Sequence, residues 1–220
     1  MIFIYRTTYK SIRKGTMGRK SIAHIRRKEI IEGFFTVVAE KGFAEASVRE
    51  ITKAAGVSNG VLHHYFTNKE AMVLGVMDYV LTSYMEQFQK ELLKHQNAAD
   101  RMRFVFSWFF DLDRFTLKFS RAWMEFWVLS KTNPAISKAL QECYRTVKET
   151  IAGIILAGIQ AGEFRKVNPI VTANLIVSCM EGATMLWVVD TKATPMKTMG
   201  KRTAELFLDD LMGKKRGWDN

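Results

Sequence analysis

The sequence predicts an all-α protein in which a small N-terminal helical module is joined by a long helix to a larger helical body. Three observations carry this expectation. Only 3 prolines interrupt 220 residues, fewer than a loop-rich or all-β chain would carry. Apolar residues recur at helical spacing rather than in alternation along most of the chain. Residues that favour helix starts stand ahead of the apolar runs. With 48% hydrophobic residues, including 15 Phe, 12 Met and 5 Trp, the helices have a large and adaptable interior to enclose.

Taken in order, residues 1 to 25 show no clear hydrophobic period and many bases, which predicts a flexible basic arm, and Met17-Gly-Arg-Lys offers a second start. From Arg26 to Lys41 the residues Ile30, Ile31, Phe34, Phe35, Val38 and Ala39 mark the first helix, and Gly42 stops it. Ser47-Val-Arg-Glu50 is a capping box opening a short helix that ends near Ala55; Gly56-Val57 turns the chain, and Ser58 caps a third helix through Phe66. Thr67-Asn-Lys-Glu70 is a second capping-box pattern, heading a helix predicted to reach Lys94. Beyond it the spacing predicts helices over 100–115, 118–131, 134–162, 169–190 and 196–213. Asn133-Pro134 and Asn168-Pro169 each place a capping residue before a proline at the first helical position, and Thr194-Pro195 repeats the pattern. The expected division is an arm over 1–25, a module over 26–70, a helical body over 71–213 and a tail over 214–220.

The net charge of +11 is concentrated at one end: residues 1 to 28 hold nine Lys or Arg and no acid. An acidic partner for that end is expected, and nucleic acid suits it better than a membrane. The uncharged run between Lys166 and Glu181 is 14 residues, short of a spanning helix, so no membrane partner is expected. Cys143 and Cys179 have no metal-binding spacing, and the N-terminus breaks into charge too early for a signal peptide; both point to a reducing, cytoplasmic setting. His63 and His64 have no further His or Cys at ligand spacing, so no metal is expected, and no cofactor. The chain has no serine elbow, phosphate loop, HExxH or CxxC, so catalysis is not expected.

The segment Ser47 to Phe66 has the layout of a helix-turn-helix. Val48, Ile51, Ala55, Val57, Leu62 and Phe66 supply its apolar positions, leaving Asn59, Gly60, His63 and His64 outward. Asn59 and His63, four apart, share a face. The residues Ile51-Thr-Lys-Ala-Ala-Gly-Val-Ser-Asn-Gly-Val-Leu-His-His-Tyr-Phe-Thr-Asn-Lys-Glu70 resemble the DNA-binding domain of the tetracycline-repressor (TetR) family over about residues 26 to 75. Thr52 departs from it, standing where the family usually has alanine. The resemblance implies an N-terminal three-helix DNA-binding domain, joined by a long helix to a ligand-binding and dimerisation domain. Position by position, it implies that Ser47 and Arg49 lie at the DNA backbone, that Tyr65 and Lys69 hold phosphates, and that Asn59, Gly60, Val61, His63 and His64 face the major groove. Ser58, heading the same helix, joins this contact set. Asparagine can pair bidentately with adenine and valine can meet a thymine methyl.

In the larger body, Met102, Phe106, Phe109 and Asp113 share one helical stripe, while Trp123 and Trp127 share another beside Phe126. Their number points to a cavity for a small molecule. Ala122-Trp-Met-Glu-Phe-Trp, Asn133-Pro-Ala-Ile and Met180-Glu-Gly-Ala-Thr-Met-Leu-Trp187 resemble the C-terminal domain of the BetI-type group of choline-responsive repressors. A quaternary-amine effector is one ligand this implies: Trp123, Trp127 and Trp187 would form an aromatic cage, with Asp111, Glu125 or Glu181 as counter-charge. The candidate effector residues are therefore Phe106, Phe109, Asp111, Trp123, Trp127 and Trp187. The resemblance further implies a homodimer through the last two helices, binding palindromic double-stranded operator DNA and released by a small molecule.

Overall fold

The computed structural model describes residues 17–214, with side chains from Ala23 onward, and every regular element among the described residues is helical. The order is α1 (Met17–Lys41), α2 (Val48–Ala55), α3 (Asn59–Tyr65), α4 (Lys69–Tyr79), a π-helical turn (Val80–Tyr84), α5 (Met85–Leu92), α6 (Ala98–Phe109), α7 (Leu117–Ser130), α8 (Pro134–Gln160), α9 (Pro169–Val189) and α10 (Met196–Leu211). Helix α1 begins at Met17, nine residues ahead of the expected start, so part of the expected arm is helical. Residues 1 to 16, and the tail from 215, lie outside the described residues.

Side-chain caps set most of the helix starts. The Ser47 hydroxyl accepts the Glu50 N–H, and the Glu50 carboxylate accepts the Ser47 N–H, closing the capping box. At the next helix start the structure differs from the sequence expectation: Asn68, rather than Thr67, caps α4 by accepting the Ala71 N–H at 2.8 Å. Asn133 and Asn168 cap α8 and α9 ahead of their prolines, as the pattern predicts. Pro195 is itself the residue before α10, with no side-chain cap. The predicted helix from 68 to 94 forms as α4 and α5 but widens between them into the π-helical turn, where the Thr82 hydroxyl donates to the Asp78 carbonyl at 2.7 Å.

Two apolar cores result. One joins α1 to α4 with α7 and the start of α8, around Ile30, Phe34, Ile51, Leu62, Phe66, Met72 and Phe126. The other joins α5, α6, α9, α10 and the second half of α8, around Phe88, Met102, Phe106, Ile155 and Ile176. The reading module is therefore not closed at residue 70: its core continues into Ala122 and Phe126 of α7 and Ile136, Leu140 and Cys143 of α8. Helices α1 and α2 approach closely at Gly33, where a Cβ would come within 2.7 Å of Ala55. Gly56, at φ +64°, ends α2 in the left-handed conformation that glycine adopts without penalty.

Helix α9 is long and apolar enough to cross a membrane by length and composition, which the 14-residue uncharged run did not suggest, because the helix continues past Glu181. Its inner side packs against α7, α8 and α10. Its outer side leaves Ile170, Val171, Leu175, Leu186 and Val189 more than half exposed, with Ser178 and Gly182 between them.

Candidate nucleic-acid interface and effector cavity

Helices α2 and α3 are locked through Ile51 and Leu62, both fully buried, and Phe66. Outside this lock, Ser47 at the start of α2, Arg49 on α2, Ser58 in the turn, and Asn59, Gly60, His63 and His64 on α3 are all exposed, while Val61 and Tyr65 of α3 are half-buried. Most of the expected contact residues are thus exposed on α2, α3 and the turn between them. Lys53, missed at the sequence level, is also exposed and lies one helical turn from Arg49; that spacing of four was the available signal.

Several of these groups already have partners. The Ser47 hydroxyl donates to the Glu50 carboxylate at 2.8 Å, and Ser58 accepts the Val61 N–H, so both serines serve as caps. The Glu50 carboxyl is held down to about 2 by hydrogen bonds from Lys41 and from the Ser47 side chain and amide. Tyr65 meets the His64 ring edge-on at 5.1 Å. Lys69 departs furthest from expectation: its ammonium donates to the carbonyls of Phe43 at 2.9 Å and Ala44 at 3.2 Å, and stands 4.7 Å from the centre of the Phe43 ring. Two of its three protons are thereby committed to the α1–α2 loop. Thr52 is buried at 6% exposure, with its hydroxyl 3.1 Å from the Arg49 carbonyl and 3.2 Å from Asn59 Oδ1.

The body contains a mostly apolar cavity of about 110 Å³ beneath the π-helical turn, lined by Tyr84, Phe109, Phe119, Trp123, Tyr144 and Glu181 among others. Of the expected effector residues, Phe109 and Trp123 line it; the others do not. Phe106 is fully buried and stacks on Phe207 at 6.0 Å, because its side of α6 faces α10 rather than the cavity. Trp187 packs against the C-terminal core. Trp127 lies outside the lining but donates its indole N–H to the Tyr144 hydroxyl at 2.7 Å, and Trp123 donates to the same oxygen at 3.1 Å. Asp111 lies instead in an adjoining polar cleft of about 370 Å³, with Asp113, Gln87 and Arg114. There it pairs with Arg114, whose guanidinium covers the Trp108 ring at 3.5 Å and donates to Gln87. Tyr84 borders both spaces.

Among the carboxylates considered as counter-charge, Glu181 is the one at the cavity. Burial pushes its carboxyl up to about 7, against the lowering effect of a hydrogen bond with the Tyr144 phenol. Burial, then the charge of Glu181, raises Tyr144 above the ordinary tyrosine range. Tyr144 was missed from sequence, although Leu140, Cys143, Tyr144 and Val147 recur at helical spacing and place it on the inner face of α8. Cys143, also lining the cavity, is pushed up to about 12 by burial and is an inert thiol.

Glu125 has a different task. Its carboxylate accepts the Phe43 N–H at 3.1 Å, so α7 grips the loop between α1 and α2. The same helix pairs Lys118 with Glu40 of α1 at 2.9 Å and sets Phe119 against Phe35 of α1 at 5.4 Å. Because Phe119 also lines the cavity, one side chain touches both the cavity and the reading module.

Residues 30–76 match the family model for bacterial regulatory proteins of the tetR family, and residues 98–213 match the model for the BetI-type transcriptional repressor, C-terminal. Among curated relatives, the HTH-type transcriptional regulator BetI of Yersinia pestis (strain Pestoides F) is 28% identical over 168 residues, covering 76% of this chain and 80% of that one. The fatty acid metabolism regulator protein of Bacillus subtilis (strain 168) is 22% identical over 187 residues, covering 84% and 95%. Among solved structures, a regulator from Saccharomonospora viridis in complex with choline superposes with a TM-score of 0.77 at 19% identity, covering 84% of this chain and 96% of that one. The regulator FadR from Bacillus subtilis in complex with stearoyl-CoA superposes with a TM-score of 0.74 at 21% identity, covering 84% and 98%.

Proposed function

The chain belongs to the TetR family of bacterial regulatory proteins, with a C-terminal domain of the BetI type, and from that premise we propose that it is a dimeric repressor which releases a palindromic operator when a small apolar cation enters the cavity beside Trp123. It is a DNA-binding transcriptional regulator rather than an enzyme. The observation that carries the ligand-responsive reading is the position of α7, which lines the cavity with Phe119 and Trp123 and holds the reading module through Phe119, Lys118 and Glu125.

On the DNA side, Arg49 and Lys53 hold phosphates, with Ser47 and Tyr65 at the backbone, and Asn59, Gly60, Val61, His63 and His64 face base edges. Ser58 mainly caps α3. Lys69 reaches a phosphate with its remaining proton while it ties the α1–α2 loop to α4. The exposed apolar stripe of α9 is the dimer face: Val171, Leu175, Leu186 and Val189 seek a partner, and Ser178 and Gly182 let a second helix approach closely. Two-fold pairing there sets two recognition helices about one helical turn of DNA, roughly 34 Å, apart.

The ligand chemistry follows from the cavity. Its one carboxyl group, Glu181, sits among aromatic faces, an arrangement suited to an organic cation. A quaternary amine is the specific form we favour, with Trp123, Tyr84 and Phe119 as the cage. The volume of about 110 Å³ suits a small head group rather than a long acyl chain. A ligand preference of about 1 to 3 kcal/mol for the released conformation changes operator occupancy about 5- to 150-fold. The test is fluorescence anisotropy of the full-length dimer on DNA from upstream of its own gene, titrated with choline and, separately, stearoyl-CoA. Release by choline that is abolished in Trp123→Ala supports the proposal; release by stearoyl-CoA alone, or by neither, overturns the ligand assignment.

A further inference from the structure

Thr52 stands where the family pattern has alanine, on the buried side of α2 against the start of α3. Its Oγ1 lies 3.1 Å from the Arg49 carbonyl oxygen and 3.2 Å from Asn59 Oδ1. Both neighbours are acceptors, yet a hydroxyl carries a single proton and cannot serve the two at once. A half-turn of the Asn59 amide, which exchanges its oxygen and nitrogen without changing its shape, resolves the conflict. Asn59 Nδ2–H then donates to Thr52, and the Thr52 hydroxyl donates to the Arg49 carbonyl. Each donor in this chain has an acceptor, and each bond polarises the next.

The consequence reaches the exposed edge of Asn59. An amide has two N–H bonds, and giving Thr52 the one that points away from the amide oxygen keeps the other beside that oxygen. The oxygen and the second N–H are left side by side and outward, the pair of groups that accepts from adenine N6–H and donates to adenine N7. Alanine at position 52 would leave the exposed amide free to rotate, and binding any one base would then carry the entropy of fixing it.

We propose that Thr52 is a positioning residue for base readout: it holds the Asn59 amide so that each protomer selects adenine at one position of its half-site. This rests on the operator-reading function, and the experiment separates the two. Full-length dimers of the parent, Thr52→Val, Thr52→Ala, Thr52→Ser and Asn59→Ala are used to select binding sites from a random duplex library at one ionic strength. The parent is expected to select a palindrome with an adenine at the position that Asn59→Ala leaves degenerate. Thr52→Val, equal in shape but without the hydroxyl, is expected to lower adenine preference at that position about tenfold while sparing the rest of the site and the salt dependence. Thr52→Ser retains the preference, and Thr52→Ala behaves like Thr52→Val should the added methyl fail to pack. Adenine preference unchanged in Thr52→Val and Thr52→Ala, preference lost evenly along the site, or an Asn59-dependent position that is not adenine each overturns the proposal. A parent that selects no palindrome overturns the operator reading itself, and this proposal with it.

Discussion

Individual side chains in the reading module divide by whether their charge or their shape does the work. Arg49 is exposed on α2 and is proposed to hold a phosphate, so Arg49→Ala should weaken binding to all duplexes and make the slope of log affinity against log salt shallower by about 1. His63→Ala should instead cost roughly 1 to 3 kcal/mol of discrimination at one base pair, with the salt slope unchanged, as competition between operator and random duplex will show. Glu181 gives a test through pH. Its folded value of about 7 exceeds its ordinary 4.5, so below 4.5 both states are protonated and the group is neutral for stability. As pH rises from 4.5 to about 7 the unfolded chain ionises first, and the ligand-free fold should lose on the order of 3 kcal/mol, a decline that Glu181→Gln removes in urea titrations across that range. The same proton opposes a cationic ligand. Affinity should fall about tenfold for each unit below pH 7, and calorimetry on the parent and Glu181→Gln will separate this from any general acid effect.

Elements owe their limits to caps and their orientation to close approaches. Ser47 closes the capping box of an eight-residue helix that has little stability of its own, so Ser47→Ala should destabilise the protein by about 1 kcal/mol, read from the urea midpoint. Most of these signals were legible in the sequence: Ser47, Ser58, Asn133 and Asn168 cap where their patterns placed them, because a cap acts within three residues of itself. The capping-box pattern fits Thr67 with Glu70, but asparagine caps a helix at least as well as threonine, and the backbone at Asn68 takes the extended conformation that lets its side chain reach Ala71. The widening at Val80–Tyr84 had no local signature. It lies over the cavity, where Tyr84 separates the apolar space from the polar cleft, and such turns are often sites of ligand or movement.

At the scale of the whole molecule, the shared core decides behaviour. Because the reading module packs on Phe126, Ile136 and Leu140, it cannot shift without disturbing α7 and α8, and the proposed function takes this shared core as its route from cavity to operator. The dimer face proposed on α9 supplies the other half of the proposed mechanism. Leu175→Glu combined with Leu186→Glu places charge on the exposed stripe of α9, and should yield a folded monomer by sedimentation that loses operator binding by at least a hundredfold, while keeping the cavity's ligand affinity. A variant that remains dimeric would move the interface elsewhere.

The chain's own order of residues was enough to set the helical class, the element order and the helix-turn-helix with its outward residues, since periodicity, caps and a short motif act over distances a linear pattern can hold. It could not assign the aromatics. Phe106, Phe109, Trp123, Trp127 and Trp187 are chemically alike in sequence, and which of them faces a cavity depends on the rotation of each helix against neighbours far away in the chain. The same holds for Glu125 and Glu181, two carboxylates that the fold sends to a loop amide and to a buried cavity, and for the hydroxyl of Thr52, whose partner on another helix is chosen by the packing of α2 on α3.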